Sequence, residues 1–164
     1  MNLPAILVKY NNHIESTLRD ALHNDNVDIL NIMRYHLGWA DKDGELTSAN
    51  HGKGLRSSLC MFACESIGGQ VDAALPSAAA IELIHNFSLI HDDIQDGDAE
   101  RRHRPTVWKI WGKDQALQIG NVMRVLGDMA QNLKVSSEIE PKYLVNCNLA
   151  LTNAYLEMME GQYL

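Results

Sequence analysis

The stretch AAAIELIHNFSLIHDDIQD, residues 78–96, decides the fold. Its first two-thirds is apolar almost all round, which is typical of a helix buried within a bundle. Apolar residues also recur three and four positions apart through most of the remaining chain, and alternating strand patterns are missing. The sequence therefore predicts an all-α protein, a bundle of helices around this central segment.

Helical patterns flank the central segment on both sides. The predicted helices cover residues 4–22, 27–37, 53–67, 76–96, 114–133 and about 137–164. Gly38 and Gly68 follow two of them, and Pro105 interrupts the pattern after the central helix. The polar, glycine-containing residues 38–50 predict a loop. The pattern contains no repeat and no linker, so residues 1–164 are expected to form one unit.

Composition excludes several classes of protein. With a net charge of −7, broad nucleic-acid binding is not expected, because that rests on clustered Lys and Arg. Cys60, Cys64 and Cys147 make an odd number and predict reduced thiols. The first residues do not have the order of a secretory signal, and no charge-free apolar run reaches the ~18 residues of a membrane span. We expect a cytoplasmic protein without a membrane span.

Ionisable residues of the central helix share one side. At about 100° per residue, Glu82, His85, Asp92, Asp93 and Asp96 fall within an arc of about 100°. An ordinary solvated face mixes Lys with Glu, whereas this one has three carboxylates within five residues. Neighbouring carboxylates repel one another unless a cation lies between them. Asp92 and Asp96, one turn apart, predict a hard-cation site, and magnesium with a diphosphate fits because it takes few protein oxygens.

Basic residues lie on both sides of this acidic cluster. Arg101 and Arg102 are adjacent, so their side chains diverge and are suited to two different phosphate groups. Lys53 and Arg56 are three apart at a predicted helix start, where basic residues oppose the helix dipole. Taken alone they are an ordinary surface pair. Beside the acidic cluster, they indicate a second anion site.

Three segments carry a family resemblance: HGKGLRS (51–57), ELIHNFSLIHDDIQDGDAERRHRPTVW (82–108) and EGQYL (160–164). They resemble the ordered motifs of the trans-isoprenyl diphosphate synthases, which include the farnesyl and geranylgeranyl diphosphate synthases. The resemblance implies a helical bundle of the isoprenoid synthase type around a deep apolar cavity, usually dimeric. Residues 1–164 are then expected to be the amino-terminal half of a single prenyl synthase domain.

The resemblance also implies roles for individual residues. Asp92 and Asp96 are expected to ligate Mg²⁺ on an allylic diphosphate, with Asp93 in support. Arg101 is expected to hold the same diphosphate, and Gln162 to lie near it. Four residues are expected to hold isopentenyl diphosphate: Lys53, Arg56, His85 and Arg102. The implied reaction is a magnesium-dependent condensation of the two diphosphates, with Asp92, Asp93, Asp96 and Arg101 as catalytic residues.

Two residues before the first Asp bear on product length. In the similar family, bulk four and five positions before that Asp limits the growing chain, and here Ser88 and Phe87 stand there. A single aromatic residue at the fifth position resembles the twenty-carbon synthases, so twenty carbons is the first expectation and fifteen the second.

The chain also departs from the family pattern. His103 stands where glycine is usual, and the second Asp-rich motif of the family does not occur in these residues. We therefore expect a homo- or hetero-oligomer in which another chain supplies that motif. Two alternatives stay open: a non-catalytic subunit of a heteromeric prenyl synthase, and a class I terpene cyclase. The cyclase shares the acidic motif but does not explain a second diphosphate site.

Overall fold

Helices make up nearly all the regular structure of the chain. The structure, a computed structural model, describes residues 8–22, 27–47, 54–132 and 139–164. Its helices are α1 (Asn11–Ala21), α2 (Val27–His36), α3 (Leu55–Ser66), α4 (Leu75–Asp96), α5 (Val107–Trp111), α6 (Lys113–Gln131) and α7 (Pro141–Tyr163). A 3-10 turn, Val71–Ala74, precedes α4. The strands β1 (Glu100–Arg101) and β2 (Arg104–Pro105) pair in an antiparallel hairpin. The all-α prediction is confirmed.

Helix α4 lies at the centre of the described fold. Pro76 occupies its first turn, where a missing backbone N–H costs nothing, and Gly97 ends it with a left-handed φ of 71°. Buried residues follow one another along the helix, from Ala78 to Ala80 and again from Glu82 to Ile84. Consecutive positions face different directions, so α4 is surrounded by protein. Its neighbours are α1, α3, α5, α6 and α7.

The closest neighbour of α4 is α6. Gly120 and Gly127 lie two turns apart on the face of α6 that meets α4. A Cβ at position 120 would come within 2.4 Å of His91 Nε2, and one at 127 within 2.9 Å of Ile84 Cγ1. Real side chains do not approach so closely, so these glycines allow the two helices to pack at short range. This contact fixes α4 in the bundle.

Most predicted helix limits agree with the structure within about two residues, and the starts of the first and last helices are the exceptions. The last helix, α7, begins at Pro141, so residues 139–140, which the pattern predicts to be helical, precede it. The predicted start at residue 4 lies outside the described residues; within them, α1 begins at Asn11 after a turn at Lys9 and Tyr10. Both of these side chains contact the carboxylate of Glu65 on α3. This tertiary contact sets the course of the chain there. Residues 4–7, 48–53 and 133–138 lie outside the described part.

The sequence pattern misses the β1–β2 hairpin and the short helix α5. Strands of two residues cannot show an alternating pattern, and a helix of five residues is too short to show a helical period. Thr106 precedes α5 with an extended backbone, and Gly112 follows it at φ 91°. These elements redirect the chain between α4 and α6.

One segment, Val71–Asp96, has the length and apolar composition of a membrane-crossing helix. More than half of its most apolar window is buried inside the protein, as expected of a bundle's core helix. The absence of a membrane span therefore stays a prediction.

Helix α7 is the least buried helix of the described chain. None of its residues is buried, and its contact with the rest of the fold is confined to α4 and a few side chains. Large apolar side chains on α7 are exposed: Tyr143, Val145, Leu149, Leu156, Met158, Met159 and Tyr163. An apolar surface of this extent on one helix is typical of an interface.

We expect the 164-residue chain to self-associate in solution, because association removes the apolar surface of α7 from water. Light scattering over a range of concentrations measures this. Replacing Leu149 and Leu156 with Gln should shift the chain towards the monomer. Leu46→Gln, in the exposed loop after α2, is the matched control and should change nothing. A cooperative monomer at every concentration would contradict the expectation.

Candidate active site

Three carboxylates crowd the last turn of α4. Asp92 is half-buried, Asp93 is only 1% exposed and Asp96 is exposed. The carboxyl end of a helix carries partial negative charge, and this last turn has no basic residue. Carboxylates at that end are unfavourable unless a cation neutralises them. The end of α4 therefore has the electrostatics of a cation site.

Asp93 forms an ion pair with Arg101 of the hairpin. Arg101 donates from Nε and from a terminal nitrogen to the same oxygen, Asp93 Oδ1, each over 2.8 Å. Asp93 Oδ2 is buried and has no hydrogen-bond partner among the described residues. Burial raises the pKa of Asp93, and Arg101 opposes that shift. Asp93 thus anchors Arg101, which the family resemblance leads us to expect beside the allylic diphosphate.

Asp92 is linked to the other end of the chain. The amide of Gln162, near the end of α7, donates a hydrogen bond to Asp92 Oδ1. The structure therefore brings Gln162 to the acidic turn, 70 residues away along the sequence. Asp92 keeps a second oxygen for other ligands.

Arg56 of α3 and His85 of α4 lie next to each other where the two helices meet. Arg56 NH1 is 3.3 Å from His85 Nε2. Burial first, and then the positive charges of Arg56, Arg102 and Arg101, lower the pKa of His85 to about 4. The imidazole is therefore neutral near pH 7, and its Nε2 accepts a hydrogen bond from Arg56. Lys53 lies outside the described residues.

Arg102 stands at the tip of the hairpin and faces a cavity. It and His103 form the turn, with left-handed φ values of 54° and 63°. The cavity, of about 130 Å³, lies between α1, α3 and α4. Its polar lining includes Arg102, Ser57, Glu82 and Asn86. The side chains of Arg101 and Arg102 thus lie in two different places, one at Asp93 and one at the cavity, as their adjacency in sequence predicts.

A set of hydrogen bonds holds the hairpin on the bundle. Thr106 Oγ1 and Trp108 Nε1 both donate to the carbonyl of Asp98, over 2.8 and 2.7 Å. Tyr35 OH donates to the carbonyl of Pro105 over 2.7 Å, and Arg104 donates to the carbonyl of Ala40 over the same distance. These residues position the arginine pair.

Sequence reasoning missed most of these positioning residues. Thr106 and Trp108 belong to the motif segment of residues 82–108, so a signal existed for them. Tyr35 lies far away in sequence, and only the fold brings it to the hairpin. Half-buried His36, whose pKa is lowered to about 3 by burial of its ring and by the charges of the two arginines, lies behind the hairpin and gives no sequence signal either.

The acidic turn is suited to a cation with few protein ligands. Among the described residues, no group of three or more His, Cys, Asp or Glu side chains converges to enclose a metal ion. Asp92 and Asp96, one turn apart, offer hard oxygen ligands and leave room for others. This donor set fits magnesium, which keeps water and phosphate oxygens in its shell, better than a zinc site with four protein ligands.

A cleft runs below the acidic turn, between α4 and α7. It measures about 380 Å³, and its lining residues are Phe87, Ser88, His91, Gln95, Met158, Met159, Gln162 and Tyr163. Phe87 is buried, with its ring edge-to-face against His91 and Tyr155 at centroid distances of 4.6 and 5.6 Å. The cleft is therefore bounded by a large aromatic ring one to two turns from Asp92.

Comparison with known proteins places this geometry in a family. The polyprenyl synthetase family model matches residues 39–164. A (2E,6E)-farnesyl diphosphate synthase of Mycobacterium tuberculosis is 37% identical over 149 residues, which are 91% of this chain and 40% of that protein. A geranylgeranyl diphosphate synthase of the same organism is 42% identical over 106 residues, 65% of this chain and 30% of that one.

Solved structures agree with the sequence relatives. A polyprenyl synthetase from Streptomyces coelicolor A3(2) superposes with a TM-score of 0.87 at 32% identity, over 99% of this chain and 46% of that one. The chain spans less than half the length of these relatives.

Removing the carboxylate of Asp93 tests the ion pair that positions Arg101. Asp93→Ala should lower the free energy of unfolding by about 2 kcal/mol, because it leaves a partly buried guanidinium without its partner. Glu15→Ala is the matched control, since it breaks the exposed pair with Arg19 and should cost less than about 0.5 kcal/mol. Urea unfolding measures both. Equal losses would mean that Asp93 and Arg101 are coupled no more strongly than a surface pair.

Proposed function

The chain belongs to the polyprenyl synthetase family, and on that premise we propose that it carries the first acidic motif of a magnesium-dependent, chain-elongating trans-prenyltransferase. This enzyme condenses isopentenyl diphosphate with an allylic diphosphate. One observation carries the proposal: arginines from other elements meet α4 at two adjacent places, Arg101 of the hairpin at the acidic end and Arg56 of α3 at His85, two turns earlier. Two diphosphates need two such places.

The allylic diphosphate is assigned to the acidic turn. Asp92 and Asp96 would hold Mg²⁺, which would supply positive charge to stabilise the leaving group. Arg101, held by Asp93, contributes a fixed guanidinium to the same diphosphate. Gln162 orients Asp92 from α7.

Isopentenyl diphosphate is assigned to the basic side of α4. Its proposed ligands are Lys53, Arg56, His85 and Arg102. Neutral His85 accepts from Arg56, which fixes the direction of that guanidinium. Because His85 holds Arg56 in one direction, this donor binds phosphate with little reorganisation.

The proposed chemistry is an ionisation followed by attack. The allylic C–O bond breaks as diphosphate departs with the bonding electrons, and the isopentenyl double bond attacks the resulting carbocation. A proton is then lost to the departed diphosphate. The barrier is charge separation, so fixed positive groups such as Arg101 at the leaving group lower it directly.

The relatives are more than twice as long as this chain, so the whole activity is proposed together with a segment or subunit that supplies the second acidic motif. The exposed apolar face of α7 favours a homo- or hetero-oligomer. The same exposed face is also suited to a second candidate function, that of a non-catalytic subunit of a heteromeric prenyl synthase. The terpene cyclase alternative is disfavoured by the Arg56–His85 pair. We propose cytoplasmic location, in keeping with three unpaired cysteines.

Metal-dependent binding of a diphosphate analogue tests the acidic turn. Calorimetry with a non-hydrolysable allylic diphosphate analogue should show binding that requires Mg²⁺, and Asp92→Ala should abolish the dependence because it removes a metal ligand. Arg101→Gln should weaken binding about tenfold while leaving the metal dependence intact. Asp43→Ala, an exposed loop carboxylate, is the control. Wild-type affinity in Asp92→Ala would refute the assignment.

Phe87 tests the proposed control of product length. Its ring bounds the cleft below Asp92, and we propose that it limits the product to twenty carbons, or to fifteen. In an enzyme reconstituted with the second motif, Phe87→Ala should give longer products, because it opens space at the cleft floor. Chromatography of the dephosphorylated products measures this. Met158→Ala, at the exposed rim, is the control. An unchanged distribution would place the floor elsewhere.

A further inference from the structure

Glu82 is a buried carboxylate that the proposed chemistry leaves without a role. It lies on α4, three residues before His85, and is 8% exposed. Its Oε2 is 3.1 Å from the Ser57 hydroxyl, and its Oε1 is 3.4 Å from the Asn86 amide nitrogen. The Ser57 proton is shared with the carbonyl of Gly54 at 2.9 Å. Neutral, partly shared donors are a weak complement for a buried charge.

The nearest complement in charge is Arg102. Glu82 and Arg102 line the same cavity of about 130 Å³, and Arg102 is the one cation among the described residues that line it. The other acidic residue there, Glu15, already accepts from Arg19. Although Arg102 as a whole is exposed, partial burial lowers the pKa of its guanidinium, and the charge of Glu82 is the largest influence opposing that shift.

Asn86 supplies a second acceptor in the same cavity. Its amide nitrogen donates to the backbone carbonyl of Glu82 over 2.9 Å. Its Oδ1 is buried and accepts no hydrogen bond of good geometry from the described residues, although the His36 side chain lies near enough to interact with Asn86. Asn86 is only 1% exposed. A buried amide oxygen lowers the stability of the fold unless a hydrogen-bond donor reaches it. A guanidinium has five N–H donors, enough for a carboxylate and an amide oxygen together.

We infer that Glu82, assisted by the amide oxygen of Asn86, is a positioning residue that holds the Arg102 guanidinium in the cavity. The inference rests on the proposed function, because the proposed function makes Arg102 a ligand of isopentenyl diphosphate. Glu82 does not itself meet the ligand, whose negative charge it would repel. It acts by restraining a long side chain that starts from a left-handed backbone at the hairpin tip.

Binding of inorganic pyrophosphate, measured by calorimetry without metal, tests this role. The variants are Glu82→Gln, Arg102→Gln and the double variant. Glu82→Gln should weaken binding about tenfold, or about 1.4 kcal/mol, yet change it less than about twofold when Arg102 is already Gln. Glu82→Asp, which keeps the charge, should recover part of the affinity. Glu100→Gln removes one exposed carboxylate from the same hairpin and should change binding less than about twofold.

A ligand-free measurement separates failure of the inference from failure of the proposed function. The Nε–H resonance of Arg102, identified by its loss in Arg102→Gln, should shift in Glu82→Gln and not in Glu100→Gln. If pyrophosphate binds the wild type and the two substitutions add, the inference is overturned and the proposed function stands. If the wild type does not bind pyrophosphate, the proposed basic site is refuted. The role of Glu82 in positioning Arg102 for a phosphate is then refuted with it. An unshifted resonance in Glu82→Gln overturns the pairing itself.

Discussion

Close packing of α4 against α6 is the constraint on which the rest of the structure depends. Gly120 and Gly127 allow the two helices to approach until His91 and Ile84 fill the space a side chain would occupy. The His91 ring also reaches the Leu117 carbonyl of α6, at 3.2 Å. Dense packing of this kind leaves a helix little freedom to tilt or rotate. The polar groups of α4 therefore have fixed directions before any ligand arrives.

A second constraint follows from the direction of α4. Its carboxyl end points to the acidic turn, so the helix dipole adds to the negative charge of Asp92, Asp93 and Asp96. The protein offsets part of this charge with Arg101 and leaves the remainder for a ligand cation. Two turns earlier, the same helix carries a neutral histidine beside Arg56. One buried helix thus presents two electrostatic environments of opposite character.

The sequence predicts these elements unequally, for physical reasons. The periods of α2, α4 and α6, with Gly38 as the end signal of α2, are local signals, and their limits agree with the structure. The acidic and arginine residues are recognisable from their types and spacing. The hairpin is not predicted, since its stability comes from bonds to Tyr35 and Ala40, which are remote in sequence. The pairing of Asp93 with Arg101, and of Gln162 with Asp92, likewise appears only when the chain is folded.

The hairpin that carries Arg101 and Arg102 is a small unit with few bonds within itself. Its ladder has two residue pairs, and its turn keeps Arg102 and His103 in the left-handed region, at a cost of about 1–3 kcal/mol each. Such segments open locally at free energies well below that of global unfolding, which amide hydrogen exchange reports. A single opening withdraws both guanidinium groups from their places. On the proposed function, a ligand that holds either arginine is therefore expected to slow exchange across the whole hairpin, and occupancy of one proposed phosphate position is expected to favour the other.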